Sequence, residues 1–227
     1  MSRRTLRGAS TRVWRIWRVA HWLTLAMLGM SLIGAVFMYW HNVMRDEMFP
    51  KRFAEVEEGR IYRSGQISEG LLREVFVDND IQLIVDLAGY EPRHRRHQDA
   101  EDRISQELEI EHLRLPLQGS GTGDPRVFAL AIAAIDRAYK QYKPVLVHCT
   151  AGSRRSAAVV ASYQVLVRGI PPEEAFYELE RYGSSSLADS PMVPFLNENL
   201  GEIAALLVEM KVIPTAPDPM PSFPWES

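Results

Sequence analysis

From Val19 to Met44 the chain carries no Asp, Glu, Lys or Arg, and Trp22 to Trp40 is a nearly unbroken apolar run with only Thr24 and Ser31 as mildly polar members. As a helix this stretch would reach about 39 Å, against a hydrocarbon core of roughly 30 Å. One membrane span over residues 19–44 is the natural reading. Trp14, Trp17 and Trp22 on one side, with Tyr39 and Trp40 on the other, have the placement of aromatic belts. Arg12, Arg15 and Arg18 recur every three residues and would form a basic stripe at the headgroups. After the run the chain reads Tyr39, Trp40, His41, Asn42, Val43, with no small-x-small cleavage site, so an uncleaved anchor is favoured over a signal peptide. Six arginines precede the span and only Arg45, Lys51 and Arg52 follow it closely. The positive-inside rule then predicts a cytoplasmic N-terminus and a large domain on the far side, periplasmic if the cell is bacterial. An Arg-rich, acid-free start is also the composition of an organelle-targeting sequence.

The net charge of −3 is a sum of unlike parts, because residues 1–45 hold seven arginines and no acid while residues 46–227 carry −10. An acidic body makes nucleic acid an unsuitable main partner, since such binding rests on phosphate neutralisation. Cys149 is the only cysteine, which excludes a disulfide scaffold and a multi-cysteine zinc site.

The body alternates strand-like and helix-like runs. Ile61 and Tyr62 open a strand, and Ser68 can cap a helix bearing Leu71, Leu72, Val75 and Phe76. Ile81 to Leu87 is a β-branched run for a buried strand, and Ile110 to Leu115 alternates as a second. Asp124 and Pro125 read as N-cap and first residue of a helix through about Tyr142. Val145 to Val147 forms a third apolar strand, followed by helices at Ser156 to Val167, Glu173 to Tyr182 and Asn197 to Glu209. This pattern predicts an α/β domain with a largely parallel sheet flanked by helices, preceded by one transmembrane helix. The predicted organisation is a basic flank (1–18), an anchor (19–44), a juxtamembrane linker (45–59), a main α/β domain (60–212) and a disordered proline-rich tail (213–227), which holds five of the fourteen prolines.

Chemistry concentrates where the last strand meets its helix, in His148, Cys149, Thr150, Ala151, Gly152, Ser153, Arg154, Arg155, Ser156. A loop of that length at a helix N-terminus can curl its backbone N–H groups around one tetrahedral anion, with Thr150, Ala151, Gly152, Ser153, Arg154 and Ser156 as its binding residues. Gly152 frees the backbone for the tight curl. The same N–H groups stabilise a thiolate, which makes Cys149 the nucleophile. Arg155 offers a planar fork to two phosphoryl oxygens. Ser156 can donate to the sulfur when the thiolate must leave. His148 is expected to hold loop geometry. The alternative for a lone cysteine is a buried, inert thiol.

These residues resemble the cysteine-dependent protein tyrosine phosphatase superfamily, whose signature is His-Cys-x5-Arg-Ser/Thr, and in particular its compact dual-specificity branch. The resemblance extends from Arg60 to about Leu200, with Ile61, Tyr62, Arg63, Ser64, Gly65, Gln66 and the run Ile84, Val85, Asp86, Leu87 as further landmarks. It implies hydrolysis of a phosphate monoester through a phosphocysteine intermediate, with no cofactor and no metal. Such enzymes protonate the leaving oxygen with an Asp on a loop before the cysteine. The stretch Leu115, Pro116, Leu117, Gln118, Gly119 has no carboxylate, and the first Asp afterwards is Asp124, in a loop with Gly119, Gly121 and Gly123. Asp124 is a candidate general acid there and equally an ordinary helix cap. Asp86, inside a strand pattern, is structural.

The cluster Arg93, His94, Arg95, Arg96, His97 reads as a solvated helix face or as a polyanion-attracting patch. Substrates consistent with these features are phosphotyrosine or phosphoprotein esters, or a phosphoinositide or other phospholipid headgroup presented at the membrane. A phosphate-binding adaptor without turnover is the reading from another class, and a rhodanese-type sulfurtransferase is a weaker one.

Overall fold

The computed structural model describes residues 7–40, 44–182 and 190–224. The basic residues Arg3 and Arg4 and the last three residues of the tail lie outside them. The chain divides into two compact units, residues 1–46 and 47–227.

The first unit is a helix, α1 (Arg7–Tyr39). Within it Ala20–Tyr39, with mean hydropathy 1.8, is long and apolar enough to cross a membrane. Its large side chains, among them Leu28, Ile33 and Phe37, are exposed. Arg18 stacks over the Trp14 ring, 5.2 Å from its centroid, at the polar end of this stretch. A four-residue helix, α2 (Arg45–Met48), follows.

The second unit is a three-layer α/β/α domain. Its five strands, β1 (Ala54–Glu57), β2 (Ile61–Ser64), β3 (Leu83–Asp86), β4 (Glu111–Arg114) and β5 (Val145–His148), lie in the order β1-β2-β5-β3-β4. All neighbours run parallel except β1 and β2. Alternation along the strands sorts the core into two clusters. Tyr62, Ile84 and Leu146 face α3 (Glu69–Asp78) and α4 (Arg95–Glu107), meeting Leu72, Phe76 and Ile104. Ile61, Val85, Val145 and Val147 face the other layer, α5 (Pro125–Lys140), α6 (Arg155–Leu166), α7 (Pro172–Tyr182) and α8 (Met192–Glu209), meeting Phe128, Ile132 and Val159. Every residue of α6 is buried. It is an interior helix, so the loop that feeds it ends on a fixed support. Truncating Ile132, which is fully buried, to Ala would cost about 2–5 kcal/mol.

Three expectations need correction. The predicted linker 45–59 contains strand β1, so the domain begins well before residue 60; β1 is half-exposed, with Val56 its one apolar contribution to the core. The tail is not disordered through residue 224: Ile213 and Phe223 are buried in the core. Asn197 holds the backbone of Phe223 from both sides, its amide donating to the carbonyl at 3.0 Å and accepting from the N–H at 2.8 Å. Ser68 stands at the N-cap of α3 but its side chain makes no capping bond; the Glu69 N–H donates instead to His97 Nδ1 at 3.1 Å.

Parallel registry brings Ser64, Asp86 and His148 level at the strand ends. The segments that follow β2, β3 and β5 therefore leave the sheet along one edge, where ligands gather in open parallel sheets.

Candidate active site

Cys149 follows the central strand and is 1% exposed. The Gly152 N–H donates to its sulfur at 3.2 Å, and the Ser156 hydroxyl lies 3.7 Å away. Burial pushes the thiol pKa up, but the Ser156 backbone N–H, the Arg155 charge, the Ser156 hydroxyl and the Gly152 N–H outweigh it, and the net shift is downward. The position at the start of α6 adds the favourable end of a helix dipole.

The loop is fastened by the strand next door. Arg63, 1% exposed, donates to the Gly152 carbonyl at 2.8 Å, and the Gln66 N–H donates to Thr150 O at 3.1 Å. Arg52 donates to Ala151 O at 2.7 Å. Gly152 has φ +70° and passes so close to β2 that a Cβ would stand 2.3 Å from Gly65 N. Here glycine is required both by conformation and by space. The Arg63 to Gln66 run, seen in sequence only as a landmark, is the wall on which the loop is built.

Arg155 reaches back across the loop. It donates to the carbonyls of Leu87 and Ala88 at 3.3 and 3.0 Å, to Thr150 Oγ1 at 2.8 Å and, at 3.4 Å from each terminal nitrogen, to Glu91 Oε1. Glu91 also accepts from Thr150 Oγ1 at 2.6 Å. Sequence reasoning missed Glu91, whose only signal was a carboxylate in the turn after β3. Buried Gln98 fixes that turn by accepting from the Glu91 N–H at 2.9 Å and donating to Gly89 O at 2.5 Å. The fork of Arg155 is thereby aimed by backbone and side-chain acceptors together.

Asp124 is exposed and caps α5, accepting from the Arg126 N–H at 2.8 Å. The loop before it runs against the phosphate loop: a Cβ on Gly121 would stand 3.1 Å from Arg154 Cβ. The cap is thus observed, and it is Gly121, three residues earlier, that packs beside Arg154.

In the basic cluster after β3, Arg95 and Arg96 lie exposed on α4 and are paired with acids. Arg96 pairs with Glu69 at 2.8 Å and Arg95 with Asp99 at 3.6 Å, and Arg103 also reaches Glu69 at 3.0 Å.

His148 points away from the loop toward α4. Its Nε2 lies 3.2 Å from Glu101 Oε1 and 3.8 Å from Asp86 Oδ1. Burial alone would lower its pKa, but the two carboxylates and the neighbouring thiolate raise it to about 9. Glu101 was not singled out from sequence, and Asp86 is structural in the sense that its carboxylate accepts from the Ala88 N–H at 2.7 Å and Arg114 Nε at 2.8 Å.

A low-pKa cysteine, a backbone cradle and an arginine fork at the end of a parallel sheet define a cysteine-dependent phosphatase of the protein tyrosine and dual-specificity class. The chain belongs to the family described as DSP-PTPase phosphatase fused to NAD+ kinase, whose model matches residues 34–193. No curated protein sequence matches it. Among solved structures it is similar to PTPMT1, at 19% identity over 70% of this chain and 98% of that one, with a TM-score of 0.51. It is similar to TpbA of P. aeruginosa at 17% identity, covering 70% and 96%, with a TM-score of 0.51. The core catalytic domain of the PP-IP phosphatase SIW14 from S. cerevisiae matches at 16% identity, covering 73% and 96%, with a TM-score of 0.54. At these identities the likeness is one of fold.

Proposed function

We propose that the chain is a membrane-anchored phosphatase that hydrolyses phosphotyrosine or dual-specificity phosphoprotein esters through a phosphocysteine intermediate. The observation that carries this reading is the Cys149 sulfur held at 3.2 Å by the Gly152 N–H inside a loop closed by Arg155. The loop N–H groups and the Arg155 fork bind the phosphoryl oxygens, and the Cys149 thiolate attacks phosphorus in line with the ester oxygen. Asp124 gives the departing oxygen its proton, a contribution of about 10²–10⁴-fold where the leaving group is poor. Water then attacks phosphocysteine, the Asp124 carboxylate takes its proton, and the Ser156 hydroxyl steadies the thiolate as it leaves. Glu91 must yield part of its hold on Arg155 to the incoming phosphoryl group.

The Ala20–Tyr39 stretch serves as the anchor, with the N-terminus cytoplasmic and the catalytic domain on the far side. Protease digestion of a C-terminal tag only after the cells' outer barrier is opened, but without lysis, supports this orientation; protection until lysis refutes it.

A phosphoinositide headgroup is the second reading. It draws support from PTPMT1, whose fold this chain shares and which has been solved in complex with PI(5)P, and from the cation of Arg52 set against the loop at Ala151. The deciding experiment measures the full chain in detergent with an aryl phosphate, a phosphotyrosine peptide and a phosphoinositide, each with and without vanadate. Vanadate-sensitive turnover favouring the peptide supports the main reading, a preference for the lipid supports the second, and tight binding without turnover of any substrate leaves only an adaptor.

A further inference from the structure

On the α3/α4 face of the sheet, behind the phosphate loop, four side chains turn polar atoms toward one point. Asp86 ends β3, His148 ends β5, His112 lies on β4 and Glu101 lies on α4. Their donor atoms all fall within 4.8 Å of one another. The side chains of Asp86, Glu101 and His148 are at most 1% exposed, and that of His112 is 12% exposed.

Among the described residues, both carboxylate oxygens of Glu101, both ring nitrogens of His148 and Nε2 of His112 have no hydrogen-bond partner. The 3.2 Å approach of His148 to Glu101 is an ion pair without hydrogen-bond alignment. Sealed polar atoms are normally satisfied, so five of them with no aligned hydrogen bond and only ion pairs such as His148–Glu101 to relieve them are an unusual arrangement. The partners that do exist lie on the outside of the cluster. His112 Nδ1 stands 3.1 Å from Asp102 Oδ1, which leaves Nε2 facing inward, and Asp86 is held by Ala88 and Arg114. A carboxylate on the far nitrogen is how proteins orient a metal-ligating histidine.

We propose that Asp86, Glu101, His112 and His148 form a binding site for a divalent transition-metal ion, zinc foremost, distinct from the phosphate site. Imidazole and carboxylate donors suit zinc, and bonds of about 2.0–2.1 Å in a tetrahedron put donors about 3.4 Å apart. Three of the separations are 3.2, 3.8 and 4.0 Å and all lie within 4.8 Å, a spread that side-chain adjustment can draw in to that distance. Charge agrees as well: the carboxylates of Asp86, Glu101 and Asp102 against the single guanidinium of Arg114 leave two negative charges for a divalent ion to neutralise. The ion takes the place of the His148 proton. Through the peptide bond from His148 to Cys149 it fixes the base of the phosphate loop, and no phosphoryl step passes through it.

The test uses the full chain carrying Cys149→Ser, which removes the thiolate as a competing zinc ligand. The protein is stripped with chelator, incubated with zinc sulfate and desalted; bound zinc is counted by atomic emission and thermal unfolding is followed with and without zinc. One retained zinc per chain and a raised Tm are expected, with retention lost on His112→Gln. Should that variant fail to fold, Asp102→Asn keeps all four ligands and should bind zinc about 10–100-fold more weakly. No retained zinc overturns the proposal. Equal retention by the His112→Gln or Asp102→Asn protein also overturns it, by placing the metal elsewhere, for example on His94 or His97.

Discussion

The phosphate loop is fastened from outside itself, by Arg63 on Gly152, Gln66 on Thr150 and Arg52 on Ala151. The neighbouring loop from Gln118 to Thr122 is bonded to itself, Gln118 N–H to Thr122 O at 3.0 Å, Gly121 N–H to Gln118 O at 2.9 Å, and Ser120 to Thr122 through their hydroxyls at 2.8 Å, before Asp124 joins α5 as its cap. The two meet where Gly121 packs on Arg154. A cradle held by a buried arginine and an adjacent strand keeps its N–H groups aimed before substrate arrives, which is the condition for electrostatic stabilisation without reorganisation. The stretch before Asp124 can shift without breaking those internal bonds, while Asp124 itself must release its cap on the Arg126 N–H to deliver a proton. On the proposed mechanism, binding and acid catalysis fall to segments that are fastened differently.

The largest effect should come from the cradle. Cys149→Ser should lower kcat for an aryl phosphate by about 10⁴-fold or more, since removing a nucleophile forfeits the covalent route altogether. Retained turnover would end the phosphocysteine reading. Asp124→Asn tests the other loop, and its value lies in what it spares. Asn is as good an N-cap as Asp, so Tm should hardly move. Turnover of an alkyl phosphate, with its poor leaving group, should nonetheless fall about 10²–10⁴-fold, and that of a nitrophenyl ester far less. Equal, small losses on both substrates would reduce Asp124 to a cap. Next comes Arg155→Lys, which keeps the charge and removes the fork; a loss of about 10²–10³-fold in kcat is expected, as for one preorganised transition-state donor.

Stiffness itself can be measured. Gly152→Ala forces a Cβ to within 2.3 Å of Gly65 N at a φ of +70°, so unfolding should become easier by about 1–3 kcal/mol in denaturant melts. Thr122→Ala in the self-closed loop should stay within about 0.5 kcal/mol. Similar costs at the two sites would erase the contrast.

How much of this could be read from sequence differs by region, for physical reasons. The strands β3 and β5 and the signature loop were legible because they are short apolar β-branched runs and a fixed spacing of chemically special residues. Strand β1 was not, since Ala54–Glu57 is a four-residue, half-exposed edge strand whose alternation offers only Ala54 and Val56 as its apolar face, too short a pattern to stand out from a linker. The proline count after Ile213 argued for disorder, yet Ile213 and Phe223 are both buried and Asn197 holds the Phe223 backbone, which docks the segment. Glu91 and Glu101 were hidden for another reason. Each becomes informative only when the chain brings Arg155 or His148 to it across more than forty residues, and neither stands in a local pattern that charge periodicity can distinguish from a solvated helix or turn.

The smallest expected effect is also the most specific to the cradle. Ser156 acts on the sulfur twice, through its backbone N–H and through its hydroxyl at 3.7 Å, and both oppose the upward push of burial on the Cys149 thiol. Ser156→Ala removes only the hydroxyl. The thiol must lose its proton to attack, so activity rises with pH through the thiol pKa, and a variant with a weaker hold on the thiolate should show its acid limb displaced upward. The displacement should be partial, because the backbone N–H groups of Ser156 and Gly152 and the charge of Arg155 remain. Single-turnover measurements should separate a second consequence: breakdown of phosphocysteine, in which the thiolate departs, should slow more than its formation. An unmoved acid limb together with equal slowing of both steps would mean that the hydroxyl serves α6 packing alone, and that the backbone by itself stabilises the sulfur.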